Sequence, residues 1–170
     1  PNFSLEMAKE AISMLRANAI AIHVNSIQEL VMAEGDRDFS KWLTNIETIV
    51  KCVDVPVIVK EVGYGMHLKT LESLIKIGVK YIDVSGKGGT NFTEIESARK
   101  GQKDSPFKDF GLSAVESLLI APQIPEITYF ASGGVRNGVD IVKALALNAQ
   151  AVGMARYFLD LSELPLEEIK

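Results

Sequence analysis

Cysteine is almost missing from this chain: Cys52 is the only one in 170 residues. A lone thiol excludes a disulfide framework and points to a reducing, cytoplasmic compartment. Because Cys52 lies beside Val53 on an apolar helical face, the expectation for it is a buried structural thiol. Excess basic charge is missing as well. The net charge is −4 with acids and bases interspersed, so neither a basic stripe for nucleic acid nor a polybasic membrane patch forms. No apolar run reaches the roughly 18 residues of a membrane span, and no signal-peptide pattern opens the sequence. Low-complexity segments and interdomain linkers are also lacking. What remains is 47% hydrophobic residues, enough for one globular core, so a single domain over residues 1–170 is expected.

Strand and helix signals alternate along the chain. Ala19–Val24, Pro56–Val62, Lys80–Ser85, Ile127–Ala131 and Ala149–Met154 are short, apolar and rich in Val and Ile. Parallel strands covered on both faces have that composition. Between them, Trp42, Ile46, Ile49, Val50 and Val53 form one helical stripe, and Leu68, Leu71, Ile75 and Gly78 another. Leu5, Ala8, Ile12 and Leu15 predict a helix ahead of the first strand. Ser113 and Glu116 form a capping box before Val115, Leu118 and Leu119, and Pro122 stops that helix. A helix is expected over Val139 to Ala149, and a last one at Leu161–Lys170. The order reads as parallel α/β. Five strands cannot close a (β/α)8 TIM barrel of about 250 residues. The expected architecture is therefore the last five βα units of such a barrel, the first three preceding this sequence. A small doubly wound domain is the alternative.

Two loops near the end of the chain carry the first chemical signal. Gly133 and Gly134 follow a strand in ASGGVRNG, and AVGMAR follows the next strand. Glycine turns bare their backbone N–H groups, and a barrel's phosphate site commonly lies between the loops after its last two strands. One Gly–Gly is an ordinary tight turn; the pair, with strand–helix–strand spacing, suggests a phosphorylated cofactor.

Other candidates stand at strand ends. His23 and Asn25 are two apart, so on a strand they share a face. Gln28 and Glu29 follow in the expected loop, an amide and a carboxylate able to bind a substrate head and one divalent cation. Glu29 and Glu34 read equally as solvated loop acids. Lys60 ends the apolar run PVIVK, where an uncompensated charge is costly. It suits a Schiff-base lysine, a cation opposite an anionic cofactor, or an ion pair with Glu61 or a neighbouring strand's acid. In the segment 83–96, Ser85 closes a strand, Gly86, Gly88 and Gly89 make a backbone cradle, and Thr90 adds a hydroxyl. Glu96, four residues from Phe92, is a candidate proton donor if a helical turn forms there.

Together HVNSIQE, VPVIVKEVGYGM, IDVSGKGGTNFTEIE and ASGGVRNGVDIVKALALNAQAVGMAR resemble the type 2 isopentenyl diphosphate isomerases. These are FMN-dependent (β/α)8 barrels that interconvert isopentenyl and dimethylallyl diphosphate, and the similarity runs from about Leu5 to Leu159. The resemblance implies FMN contacts from Lys60, Ser85 and Thr90. It implies an FMN-phosphate site at Gly133, Gly134, Val135 and Arg136 together with Met154, Ala155 and Arg156. It also implies Gln28 on substrate, Glu29 on Mg²⁺, and His23 and Asn25 lining the same cavity, with Gln28 and Glu96 supporting catalysis. Reduced FMN as acid/base agent, NADPH as reductant and a cytoplasmic homo-oligomer (tetramer or octamer) follow from the same resemblance. The family's first third, with residues for the diphosphate and part of the FMN site, has no counterpart in this sequence.

The nearest rival is an FMN-dependent 2-hydroxy acid oxidase or dehydrogenase, whose last two strands look similar. Those enzymes place a histidine base in S-N-H-G-G-R, where this chain has Lys87 in Ser85–Thr90. Inosine monophosphate dehydrogenases share the phosphate loops but need a cysteine after a strand, and Cys52 sits on a helix. A non-catalytic barrel piece serving as a structural subunit is the third reading; retention of Gln28, Glu29, Lys60 and Thr90 together argues against degeneration.

Overall fold

The computed structural model describes residues 3–163 and Pro165. In chain order the elements are α1 (Leu5–Leu15), β1 (Ile20–His23), α2 (Ser26–Val31), α3 (Trp42–Cys52), β2 (Val57–Lys60), α4 (Leu68–Lys76), β3 (Tyr81–Asp83) and α5 (Phe92–Arg99). Then follow α6 (Ala114–Ile120), β4 (Thr128–Ala131), α7 (Gly138–Ala146), β5 (Ala149–Val152) and α8 (Arg156–Ser162). Helix starts follow the local chemistry. At α1 the Ser4 hydroxyl accepts from the Met7 N–H at 3.3 Å, and Asn137 accepts from Val139 and Asp140 at α7. The expected capping box forms at α6: Glu116 N–H donates to Ser113 Oγ at 3.2 Å, and Ser113 N–H donates to the Glu116 carboxylate at 2.7 Å.

All strand pairs are parallel, and the sheet order β1-β2-β3-β4-β5 repeats the chain order. Register and burial give the two sheet faces opposite characters. Val59, Ile82, Tyr129 and Ala131, and Ala149 are buried beneath the helices in one cluster with Ile46, Leu71, Leu74, Leu118 and Ala144, and Val57 is buried with Ala8 and Ile49. The opposite face carries Ala21 and His23, Ile58 and Lys60, Tyr81 and Asp83, and Phe130, all half-covered or exposed. Tyr81 and Phe130 stack there with ring centroids 6.5 Å apart. The sheet is thus the wall of a barrel, helices outside and a polar-ended inner face.

Several expectations change. Cys52 is exposed: it is the last residue of α3, one step off the stripe through Ile46 and Ile49, so it faces outward rather than into the core. Gln28 and Glu29 lie on helix α2 instead of a loop, because Asn25 caps that helix through Oδ1, which accepts from Gln28 N–H at 2.9 Å. For the same reason Asn25 has left the strand, and it is buried while His23 is exposed. In α4 and α6, Leu71, Leu74 and Leu118 are buried whereas Leu68, Val115 and Leu119 are exposed. The last described helix starts at Arg156, before the expected Leu161, and Leu164 and 166–170 lie outside the described residues.

Candidate functional site

The carboxyl ends of the strands bring charged groups onto the open face. His23, Lys60 and Asp83 are register partners on β1, β2 and β3. Lys60 Nζ donates to the Glu61 carbonyl at 3.1 Å. Desolvation, followed by the Lys60 charge, pushes the His23 imidazole below its ordinary value, which favours its neutral form. Glu61, next in the chain, points to the other side and is buried. Its carboxylate accepts the N–H groups of Val62, Gly63 and Tyr64 at 2.7, 2.7 and 2.6 Å. Burial raises its pKa against the pull of those three donors. The same loop is anchored by Tyr64, whose hydroxyl donates toward Asn91 Oδ1 at 2.7 Å.

Beyond β3 and β4, two glycine turns lock together. Ser85 is buried with φ 33°, a left-handed conformation that costs a non-glycine residue about 1–2 kcal/mol. Gly86 N–H donates to the Ser132 carbonyl at 2.9 Å. Gly133 has φ 88°, and a Cβ there would lie 2.0 Å from the Gly86 carbonyl oxygen; one on Gly134 would lie 2.7 Å from the Gly88 carbonyl carbon. The glycines therefore serve two needs, positive φ and backbone-to-backbone contact. Thr90 is exposed at the rim, and Val135 is half-buried. Gly153 N–H donates to the Ala131 carbonyl at 2.7 Å and brings the Met154–Arg156 segment alongside. Both arginines are exposed and locally paired, Arg136 in the turn before α7 with Asp140 at 3.1 Å and Arg156 with Asp160 inside α8 at 2.8 Å. Such pairs are worth little and release easily.

A cavity of about 180 Å³ gathers His23, Asn25 and Glu29 with Trp42 and Asn45. The Asn25 Nδ2 donor is buried there and has no hydrogen-bond partner among the described residues. Glu29 accepts the Asp36 N–H at 2.8 Å, and Arg37 donates to the Glu29 carbonyl and to that of Met32, which folds the segment after α2 back onto it. Glu96 is brought elsewhere. On α5 it pairs with Arg99 at 2.6 Å, and Arg99 reaches Glu34 at 3.0 Å, so its charge is tied to the segment that follows α2. Lys87 turns outward and donates to the Asp109 carbonyl at 3.3 Å. Two residues at this site were not singled out from sequence, Asp83 and Ser132. Asp83 had a signal: an acid on the alternating face of an otherwise apolar strand.

These residues suit FMN. The bare glycine turns offer backbone to a phosphate, Ser85 and Thr90 offer hydroxyls, and the Lys60 ammonium stands at the strand mouths between them and His23. Toward Mg²⁺, Glu29 is the carboxylate that lines the cavity with His23 and Asn25. Among the described residues no group of three or more His, Cys, Asp or Glu could hold a metal.

Such a wall of parallel βα units with glycine turns after its last strands is that of a (β/α)8 barrel of the flavoprotein type, and this chain supplies about five of its units. Residues 2–161 match the FMN-dependent dehydrogenase family, and the chain belongs to that family. In sequence it is 54% identical over 158 residues to the isopentenyl-diphosphate delta-isomerases of Staphylococcus epidermidis and Staphylococcus haemolyticus. Those matches cover 92% of this chain and 45% of each relative, so the chain spans less than half the length of the curated relatives it matches. In fold it is similar to a mandelate oxidase mutant solved with (S)-mandelic acid, at TM-score 0.54 and 16% identity over 88% of this chain and 44% of that one. A second mandelate oxidase structure, with the monooxide FMN adduct, gives TM-score 0.56 at 18% identity, over 90% of this chain and 44% of that one.

Proposed function

We propose that this chain forms part of a type 2 isopentenyl-diphosphate delta-isomerase, a flavoenzyme that interconverts isopentenyl and dimethylallyl diphosphate. The observation that carries the reading is the open-face row His23–Lys60–Asp83 set beside the interlocked turns at Gly86–Gly89 and Gly133–Gly134. The row supplies a cation where an anionic ring would lie, and the turns supply backbone where its phosphate would lie. The 54% identity to the staphylococcal isomerases supports the same reading.

The reaction adds one proton and removes another, so it is redox-neutral. FMN, reduced with NADPH as the electron source, would supply the acid/base chemistry when bound. Lys60 favours a negative charge beside it. Ser85 and Thr90 orient that group through their hydroxyls. Gly133, Gly134, Val135 and Arg136, with Met154, Ala155 and Arg156, hold the phosphate, both arginines leaving their surface pairs to do so. His23 and Asn25 line the substrate cavity, the Asn25 Nδ2 being a donor with no partner among the described residues. Gln28 orients the substrate. Glu29 would hold Mg²⁺, which would supply positive charge to the substrate diphosphate. Glu96 acts through its seam with α2, on which Gln28 and Glu29 sit. The assembled protein is a cytoplasmic homo-oligomer, a tetramer or octamer.

A 2-hydroxy acid oxidase is the second reading, and the geometry of Lys87 speaks against it. That residue stands in the sequence position of the histidine base, and its side chain binds a loop carbonyl. Purified polypeptide carrying this chain at the full length of its relatives decides between the two. Under reducing conditions with FMN and Mg²⁺ it is expected to convert isopentenyl diphosphate to dimethylallyl diphosphate, followed by proton NMR. Oxygen consumption with a 2-hydroxy acid, and no isomerisation, overturns the proposal.

A further inference from the structure

Asp83 is an acid on the inner face of a three-residue strand, and burial raises its pKa. Such placement costs stability unless its hydrogen bonds do something specific. They do not go to its register neighbour Lys60, which donates to the Glu61 carbonyl instead. One carboxylate oxygen accepts the Ser85 N–H at 3.1 Å, inside the residue with φ 33°. Both oxygens accept from the Ser132 hydroxyl, at 2.9 and 3.0 Å. Ser132 immediately precedes Gly133, and its carbonyl takes the Gly86 N–H at 2.9 Å. One carboxylate is thus bonded to the first residue of each glycine turn, across the β3–β4 seam.

Resting on the flavin reading above, we propose that Asp83 is a positioning residue for the FMN site. It clamps the turn after β3 to the turn after β4, so that Ser85, Gly86 and Gly133 face the cofactor as one surface. The clamp works by geometry, since what it holds are two backbone turns and a hydroxyl. An asparagine at the position has the same shape. Its Oδ1 can accept from Ser85 N–H, and its Nδ2 can donate to Ser132 Oγ, whose rotor then reverses.

The test uses the full-length polypeptide and two readouts apart from turnover: FMN affinity by fluorescence titration of the apoprotein, and the ³¹P resonance of bound FMN. Asp83→Ala is expected to weaken FMN about tenfold or more and to move the ³¹P resonance. Ser132→Ala, which removes one arm of the clamp, is expected to weaken FMN by about threefold to tenfold. Asp83→Asn is expected to stay within about threefold of wild type with an unmoved resonance, a rescue that simple loss of fold stability would not give. Should Asp83→Ala fail to fold, Ser132→Ala against Asp83→Asn carries the same contrast. Wild-type affinity in Ser132→Ala, or a loss in Asp83→Asn as large as in Ser132→Ala, overturns the clamp. If wild-type protein itself binds no FMN, the functional reading falls, and the clamp with it.

Discussion

Replacing Gly133 by alanine tests the interlocked turns most directly. At φ 88° an L-residue pays about 1–2 kcal/mol for the left-handed backbone alone. The new methyl would also start 2.0 Å from the Gly86 carbonyl oxygen, well inside van der Waals contact and against backbone that cannot rotate away. Relief requires the two turns to separate. That stretches or breaks the 2.9 Å bond from Gly86 N–H to the Ser132 carbonyl, worth about 1 kcal/mol net. The combined cost is about 2–4 kcal/mol, a large share of the roughly 5–15 kcal/mol that holds a typical domain together. Gly138→Ala is the matched control. It opens α7 with no atom of the described residues within 4 Å of the added methyl beyond its chain neighbours and its own helix backbone, so it should be neutral or stabilising by up to about 1 kcal/mol. Urea denaturation of the wild type and both variants measures the difference directly, and FMN titration should show a loss only for Gly133→Ala. Equal stability for the two variants would mean that the turns do not touch as described.

Three further outcomes are expected. Lys60→Met should fold, bind FMN more weakly and lower the flavin midpoint potential, because an ammonium at contact with an anion contributes a few kcal/mol at an effective dielectric of about 20; potentiometric titration checks it. Glu29→Gln should weaken Mg²⁺ activation while leaving FMN affinity unchanged, and isothermal titration with each ligand separates the two. Glu61 is held above its ordinary 4.5 by burial, so the folded state keeps its proton longer than the unfolded chain does. Its contribution to stability is full below that value and is lost as pH rises through the folded pKa; Glu61→Gln should flatten that part of a stability-against-pH curve.

Much of the architecture was legible because parallel strands announce themselves. Val57–Lys60 and Ile20–His23 are apolar runs with no alternation, and both lie inside the expected strands. The capping box of α6 and the turn residues were equally local and equally readable. What misled was local competition. Asn25 reads as a strand residue until its side chain is seen to cap α2, and Cys52 reads as core until the end of α3 leaves it one step off the stripe. In the candidate site, the glycine turns and Lys60 were visible as residue types. The link through Asp83 and Ser132 was not, because the two are 49 positions apart and only the β3–β4 pairing makes them neighbours. Glu96 shows the converse: its place on a helical turn with Phe92 was readable, its pairing with Arg99 and Glu34 was not.

The strand order has a kinetic meaning. Every strand pairs with its predecessor in the chain, so the sheet can assemble by adding one unit at a time to a growing edge. The additions are not equally easy. The excursion from Asp83 to Thr128 is about twice as long as that from Lys60 to Tyr81, and each doubling of a flexible loop costs roughly 0.6 kcal/mol more to close. The seam between β3 and β4 is therefore the step with the dearest entropy, and it is the seam on which the glycine turns meet. An anion bridging those turns would act as a staple at the slowest junction. Flavin present during refolding should then speed the final phase, and the same seam should be the first to open when flavin is withdrawn.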